Sequence, residues 1–175
     1  MGCDKRMLSR VIFMRPQNAE EYGGDCALDY ERIFRDYKDD VYRLAICYTN
    51  SRADAEDVCQ TVFLKLMEQK SFQPGKEKQW LLRVTANECK NLLRSHWWKT
   101  TVPMDESLSV EPPLINETLQ AVLSLEPKYR VAVYLHYYEM LSTQEIATLL
   151  HITQSTVTTQ LSRARKLLKS KLEEE

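Results

Sequence analysis

Residues 142–172 read STQEIATLLHITQSTVTTQLSRARKLLKSKL. Ser142 and Glu145 stand in the S-x-x-E order of a capping box, in which each side chain satisfies a free backbone N–H of a first helical turn. Ile146, Ala147, Leu149 and Leu150 then give a short helix one apolar face. His151 and Ile152 make a turn, and Thr153 is placed to cap a second helix. On that helix Val157, Leu161, Ala164, Leu168 and Leu172 recur at steps of four, three, four and four, the stripe of a face turned to a core. Off the stripe lie hydroxyls first (Ser155, Thr156, Thr158, Thr159, Ser162) and cations after them (Arg163, Arg165, Lys166, Lys169, Lys171), with no Asp or Glu from Ile146 to Leu172. Such a helix suits a DNA groove: short donors reach base edges while Arg and Lys hold phosphates. Basic residues near a helix C-terminus also complement its dipole. The capping box, the short turn and the acid-free run together favour the helix-turn-helix.

A formal net charge of −1 for the 175 residues conceals a segregated pattern. Residues 100–126 hold acids and no Lys or Arg, whereas Lys76 to Lys99 carries six bases against Glu77 and Glu88. No apolar run reaches the roughly 20 residues that span a bilayer, and Val11 to Met14 is too short for a signal core, so a cytoplasmic protein without membrane insertion is expected. The cysteines (Cys3, Cys26, Cys47, Cys59, Cys89) are widely spaced, lack C-x-x-C and have no adjacent histidine, a pattern of structural thiols rather than a metal site. Asp54, Glu56 and Asp57 fit a first helical turn better than a cation site. There is no nucleophile elbow or phosphate loop, so neither an enzyme nor a cofactor is expected.

Helical spacing runs through Asp29–Thr49, restarts at Asn50 or Ser51 to carry Ala55, Val58, Cys59, Val62, Phe63, Leu66 and Met67, and resumes from about Glu77 to Trp98. KSFQPGKEK between the last two reads as a loop, and TTVPMDESLSVEPPLIN as an extended linker. Asn116 can cap a short helix through Leu123, and Pro127 opens another ending near Tyr138. The expectation is an all-α chain: a mobile arm at 1–27, a helical domain at 28–99, a flexible acidic linker at 100–115, and a helix-turn-helix domain at 116–175. Each half is small enough for its core to be marginal alone, which suits large partner surfaces.

At this point the chain resembles the extracytoplasmic-function sigma factors of bacterial RNA polymerase. The resemblance rests on DAEDVCQTVFLKL at 54–66, SFQPGKEKQWLLRVTANECKNLLR at 71–94, LEPKYRVAVYLHYYEMLSTQEIA at 125–147 and TVTTQLSRARKLL at 156–168. It implies a promoter-specificity subunit that binds core RNA polymerase and promoter DNA and answers to an anti-sigma factor. Asp54, Asp57, Gln60, Thr61, Leu64 and Lys65 would then dock on the polymerase. The loop with Ser71, Phe72, Lys76 and Lys78 would take a base flipped from the melted −10 strand, and Arg83, Asn87, Lys90, Asn91 and Arg94 would line that strand's path. Ser155, Thr156, Thr158, Thr159, Ser162, Arg163 and Lys166 would read the −35 groove. Departures from the family pattern are Ser155, Thr158 and Gln160 at often small or basic positions, Met140 for a frequent glycine, and SHWWK where a basic cluster is common. Trp97 and Trp98 there could stack on bases or pack on their own domain. The competing readings are a freestanding helix-turn-helix regulator, which needs a dimer surface, and a protein-interaction adaptor with merely solvated basic faces.

Overall fold

The computed structural model describes residues 29–69, 71–73, 75–99 and 121–173, with the backbone alone for 96–99 and 171–173. The arm, the linker, the Asn116 cap and the side chains of Trp97 and Trp98 lie outside the described residues. Within them the chain is all-helical: α1 (Tyr30–Thr49), α2 (Arg52–Met67), α3 (Glu77–Lys99), α4 (Pro127–Val133) with a π-helical turn at Tyr134–Tyr138, α5 (Thr143–Leu150) and α6 (Gln154–Glu173).

Local chemistry sets the boundaries. Asp29 accepts from the backbone N–H of Arg32 at the start of α1, and Ser51 accepts from that of Asp54 at the start of α2. Between them Asn50 takes φ 53°, a left-handed conformation that asparagine tolerates well. Ile33, Phe34, Val41, Leu44 and Ala45 of α1 are buried against Ala55, Val58, Val62, Phe63 and Leu66 of α2 and Leu81, Leu82 and Ala86 of α3. Phe34 and Phe63 meet edge to face at 4.6 Å between centroids. The thiols of Cys47, Cys59 and Cys89 lie in this core as small apolar groups. Burial pushes the Cys47 and Cys89 thiols up to about 12, so both stay protonated and unreactive at neutral pH.

The carboxy-terminal lobe is built around the expected motif. The capping box is complete: Ser142 Oγ accepts from the Glu145 amide, while the Glu145 carboxylate accepts from the Ser142 amide at 2.8 Å. These hydrogen bonds hold the Glu145 carboxyl below the usual range. His151 turns the chain at φ 55°, and the Ile152 and His151 amides return to the Ala147 and Thr148 carbonyls. Thr153 Oγ1 accepts from the Thr156 amide at 3.2 Å and starts α6. The α6 stripe of Val157, Leu161 and Ala164 is buried.

Met140 has φ 54° and is 81% exposed. A β-carbon in the left-handed region costs about 1–2 kcal/mol, partly offset by the entropy a glycine would lose. Met140→Gly is therefore expected to raise stability by about 0.5–1 kcal/mol. A chemical denaturation curve checks this, and a lower midpoint would refute it.

The two lobes also pack on each other, α4 on α1 and α5 on α3. Arg130, 5% exposed, crosses the junction. Its guanidinium donates to the carbonyls of Cys47 and Tyr48 at the C-terminus of α1, and on its own side to Leu123 and Leu125. The α1 carbonyls are among those a helix end leaves without internal partners. A planar fork with five donors can serve four acceptors at once.

Candidate nucleic-acid interface

On α6 the side chains of Ser155, Thr156, Thr158, Thr159, Ser162, Arg163 and Lys166 are all exposed. Thr158 and Thr159 donate to the Gln154 and Ser155 carbonyls at 3.0 and 2.8 Å. Their hydroxyls are thus oriented before any ligand arrives, with lone pairs turned outward, and can rotate to donate instead. Gln154 Nε2 donates to Thr143 Oγ1 at 2.9 Å and fastens the start of α6 to α5, fixing the angle between the two helices. A cleft of about 300 Å3 runs between the start of α4 and α6, lined by Lys128, Tyr129, Ser155, Thr156, Thr159 and Arg163 among others. Lys128 is not among the residues that the sequence pattern singles out. Its ammonium lies 2.6 Å from Glu126 and 4.8 Å above the Tyr129 ring. Only tertiary packing brings it to α6.

In the amino-terminal lobe, Arg83, Asn87, Lys90, Asn91 and Arg94 follow one another at steps of four, three, one and three along α3. Arg83, Asn91 and Arg94 are exposed, whereas Asn87 and Lys90 are half-buried. Lys90 Nζ donates to the Leu150 carbonyl at the end of α5, 2.7 Å away. Burial, together with the nearby Arg94 charge, lowers the Lys90 pKa.

The loop before α3 is likewise divided. Ser71 and Lys76 are exposed, but Phe72 is half-buried and meets Trp80 edge to face at 5.3 Å. That contact pins the loop to the first turns of α3, a role for Trp80 that the sequence did not single out. Lys78, expected at the loop's end, lies in the first turn of α3. Its ammonium bridges Asp40 at 2.9 Å and Glu139 at 2.8 Å. Burial works against its charge, but the two carboxylates outweigh it and raise its pKa.

The Glu139 side chain is 3% exposed and accepts from the Tyr134 hydroxyl at 2.7 Å. The π turn, closed by the Glu139 amide onto the Tyr134 carbonyl, brings these two groups together.

On α2, Asp57, Leu64 and Lys65 are exposed, and Asp54, Gln60 and Thr61 are half-buried. Leu64, at 41%, is among the larger exposed apolar side chains. Lys65 Nζ lies 2.6 Å from Glu88 of α3, so it ties two helices of its own lobe together.

Comparisons with known proteins match these lobes in turn. The sigma-70 region 2 model covers residues 33–99, and the sigma-70 region 4 model covers 115–168. The chain is 31% identical over 157 residues to the ECF RNA polymerase sigma factor SigE of Mycolicibacterium smegmatis, covering 82% of this chain and 61% of that protein. It is 30% identical over 151 residues to the ECF RNA polymerase sigma factor SigM of Bacillus subtilis, covering 80% of this chain and 93% of that one. The fold is shared with the sigma factor RpoE of Bartonella quintana, solved with the anti-sigma factor NepR, at TM-score 0.65 and 22% identity over 83% of this chain and 97% of that chain. Two lobes matching sigma-70 regions 2 and 4, together with a relative aligned over nearly its whole length, show that this chain belongs to the extracytoplasmic-function sigma factors of RNA polymerase.

Proposed function

We propose that this chain binds core RNA polymerase through the outer face of α2, reads the −35 element with α6, and takes the opened −10 strand along the 71–78 loop and α3. The working units are then a domain at 28–99 and one at 116–175, joined by 100–115, acting in the cytoplasm. An anti-sigma factor is the expected antagonist, as NepR is the partner of RpoE in its solved complex. The observation that carries the reading is the face of α6, where seven hydroxyl and basic side chains are exposed together with no carboxylate among them. Duplex DNA presents acceptors and donors at its groove floor and phosphates at its rims, and this face supplies matching groups in that order. On α3 the exposed Arg83, Asn91 and Arg94 provide cations and amides in a row, as a single strand needs.

The test is to add the purified chain to core polymerase on a library of promoter templates and map the transcripts. Transcripts starting at defined positions, absent without the chain, are the expected result. Asp57→Lys, exposed and off the buried α2 stripe, should lower assembly with core polymerase while its melting curve stays near that of the parent. It is a cleaner probe than Lys65, whose partner Glu88 lies within the same lobe. Sequence-specific duplex binding by the chain alone, with no effect on polymerase, would instead favour a freestanding regulator.

A further inference from the structure

We propose that Gln154, the first residue of α6, is a specificity residue that reads one adenine in the −35 element, and that Thr143 of α5 sets its amide for that task. The inference rests on the −35 assignment of α6 made above and adds to it a residue and a base. A recognition helix meets base edges with its N-terminal residues, so a discriminating group belongs in the first turns of α6. The hydroxyls there are largely committed. Thr153 Oγ1 lies 2.9 and 2.7 Å from the Ser155 and Thr156 hydroxyls, and Thr158 and Thr159 donate to the Gln154 and Ser155 carbonyls. A hydroxyl has one hydrogen to give, so while these bonds hold the row offers DNA chiefly acceptors.

Gln154 differs. Its side chain is exposed, and Nε2 donates one hydrogen to Thr143 Oγ1 at 2.9 Å. An amide carries two such hydrogens and a carbonyl oxygen, so one N–H and Oε1 remain for a ligand. That donor and acceptor match N7 and the N6 amino group of adenine in the major groove. Gln160, the other amide of α6, is half-buried, with its Oε1 closed off from solvent in the cleft toward α4. Thr143 is half-buried at the start of α5 and makes a firm post. Holding a long side chain in place before DNA arrives removes part of the ordering cost of binding. Thr143 is a positioning residue rather than a phosphate contact, because the Glu145 carboxylate of the capping box stands in the same turn and repels an anion.

The experiment assembles the full chain with core polymerase and measures binding to promoter duplexes carrying each base at every −35 position. The parent should prefer adenine at one position by about tenfold. Gln154→Ala should abolish that preference while other positions keep theirs. Gln154→Glu, which can only accept, should move it to cytosine, whose N4 amino group donates; a merely structural role for this residue gives no such change of base. Thr143→Val, which deletes the latch but not the reader, should weaken the adenine preference several-fold, and Thr143→Ser should restore it. An unchanged base profile in both Gln154 variants, where Arg163→Ala does weaken −35 binding, would overturn the inference and leave the −35 assignment standing. A profile that Arg163→Ala also leaves unchanged would remove α6 from the −35 element, and the inference with it. Should Thr143→Val match the parent while the Gln154 variants respond, the role of Thr143 falls and that of Gln154 holds.

Discussion

Replacing Arg130 by Ala is expected to lower the unfolding free energy by about 3–4 kcal/mol and the melting temperature by about 10 °C for a chain of this size. Four carbonyl groups accept from its guanidinium, at Cys47, Tyr48, Leu123 and Leu125. Each buried acceptor left without a donor costs about 1–3 kcal/mol, less where water can enter the space vacated. Solvent reaches Leu123 more easily than the end of α1, so the full sum is not expected. Arg130→Lys should recover a minor part of the loss, because a single ammonium cannot span four acceptors in two lobes. Against a typical total stability of about 5–15 kcal/mol, the alanine variant should fold but melt early. Paired thermal and urea melts are the measurement. A loss below about 1 kcal/mol would mean that the lobes do not depend on this side chain for their docking.

The sequence carried a trace of this residue that helical-face reasoning passes over. In YRVAVYL at 129–135, Arg130 is the sole charge in an otherwise apolar run, and every one of these seven residues is buried. A cation in that setting must find acceptors inside the fold, since an unpartnered one would be prohibitively costly. Which acceptors it finds is a tertiary fact: Cys47 and Tyr48 lie more than eighty residues away in the chain.

The same division runs through the rest of the molecule. Whatever depends on residues within one turn or two was legible: the Ser142–Glu145 box, the Thr153 cap, the buried stripe of Val157, Leu161 and Ala164, and the three helices of the amino-terminal lobe. On α3, however, Leu93 is 39% exposed while Leu82 and Ala86 are buried. A stripe drawn at ideal spacing cannot anticipate how closely a neighbouring helix approaches. The π turn was not legible either, since its five residues read as a continuation of α4.

For the candidate site, exposure on α6 follows from periodicity alone. On α3 the pattern marks a polar, basic face but is silent about what occupies it. Lys78 and Lys90 satisfy every local requirement of a strand-binding cation and nonetheless meet Glu139 and Leu150, sixty residues downstream. Local sequence reports what a residue can bind; tertiary packing sets what it binds in the free chain.

Arg163→Ala should cost −35 recognition about 1–3 kcal/mol, a loss of up to about a hundredfold in affinity, while assembly with core polymerase is preserved. Arg163 is exposed on α6 one turn beyond Thr159, and it lines the cleft with Lys128. From there a guanidinium can reach either a base edge or a phosphate, and the two contacts leave different signatures. A bidentate contact to guanine makes the loss specific to one base pair, so templates altered at that pair should lose nothing further in the variant. A phosphate contact weakens all sequences alike and reduces the salt slope of binding by about one. Lys166, three residues further along the helix and lacking the planar fork, should show only the second signature. Promoter affinity of the assembled polymerase, measured across a salt series on matched and mutated −35 duplexes, separates these cases. Undiminished affinity of the Arg163 variant at every salt concentration would mean that this face of α6 does not meet the DNA, and the assignment of the −35 reader would have to move to another surface.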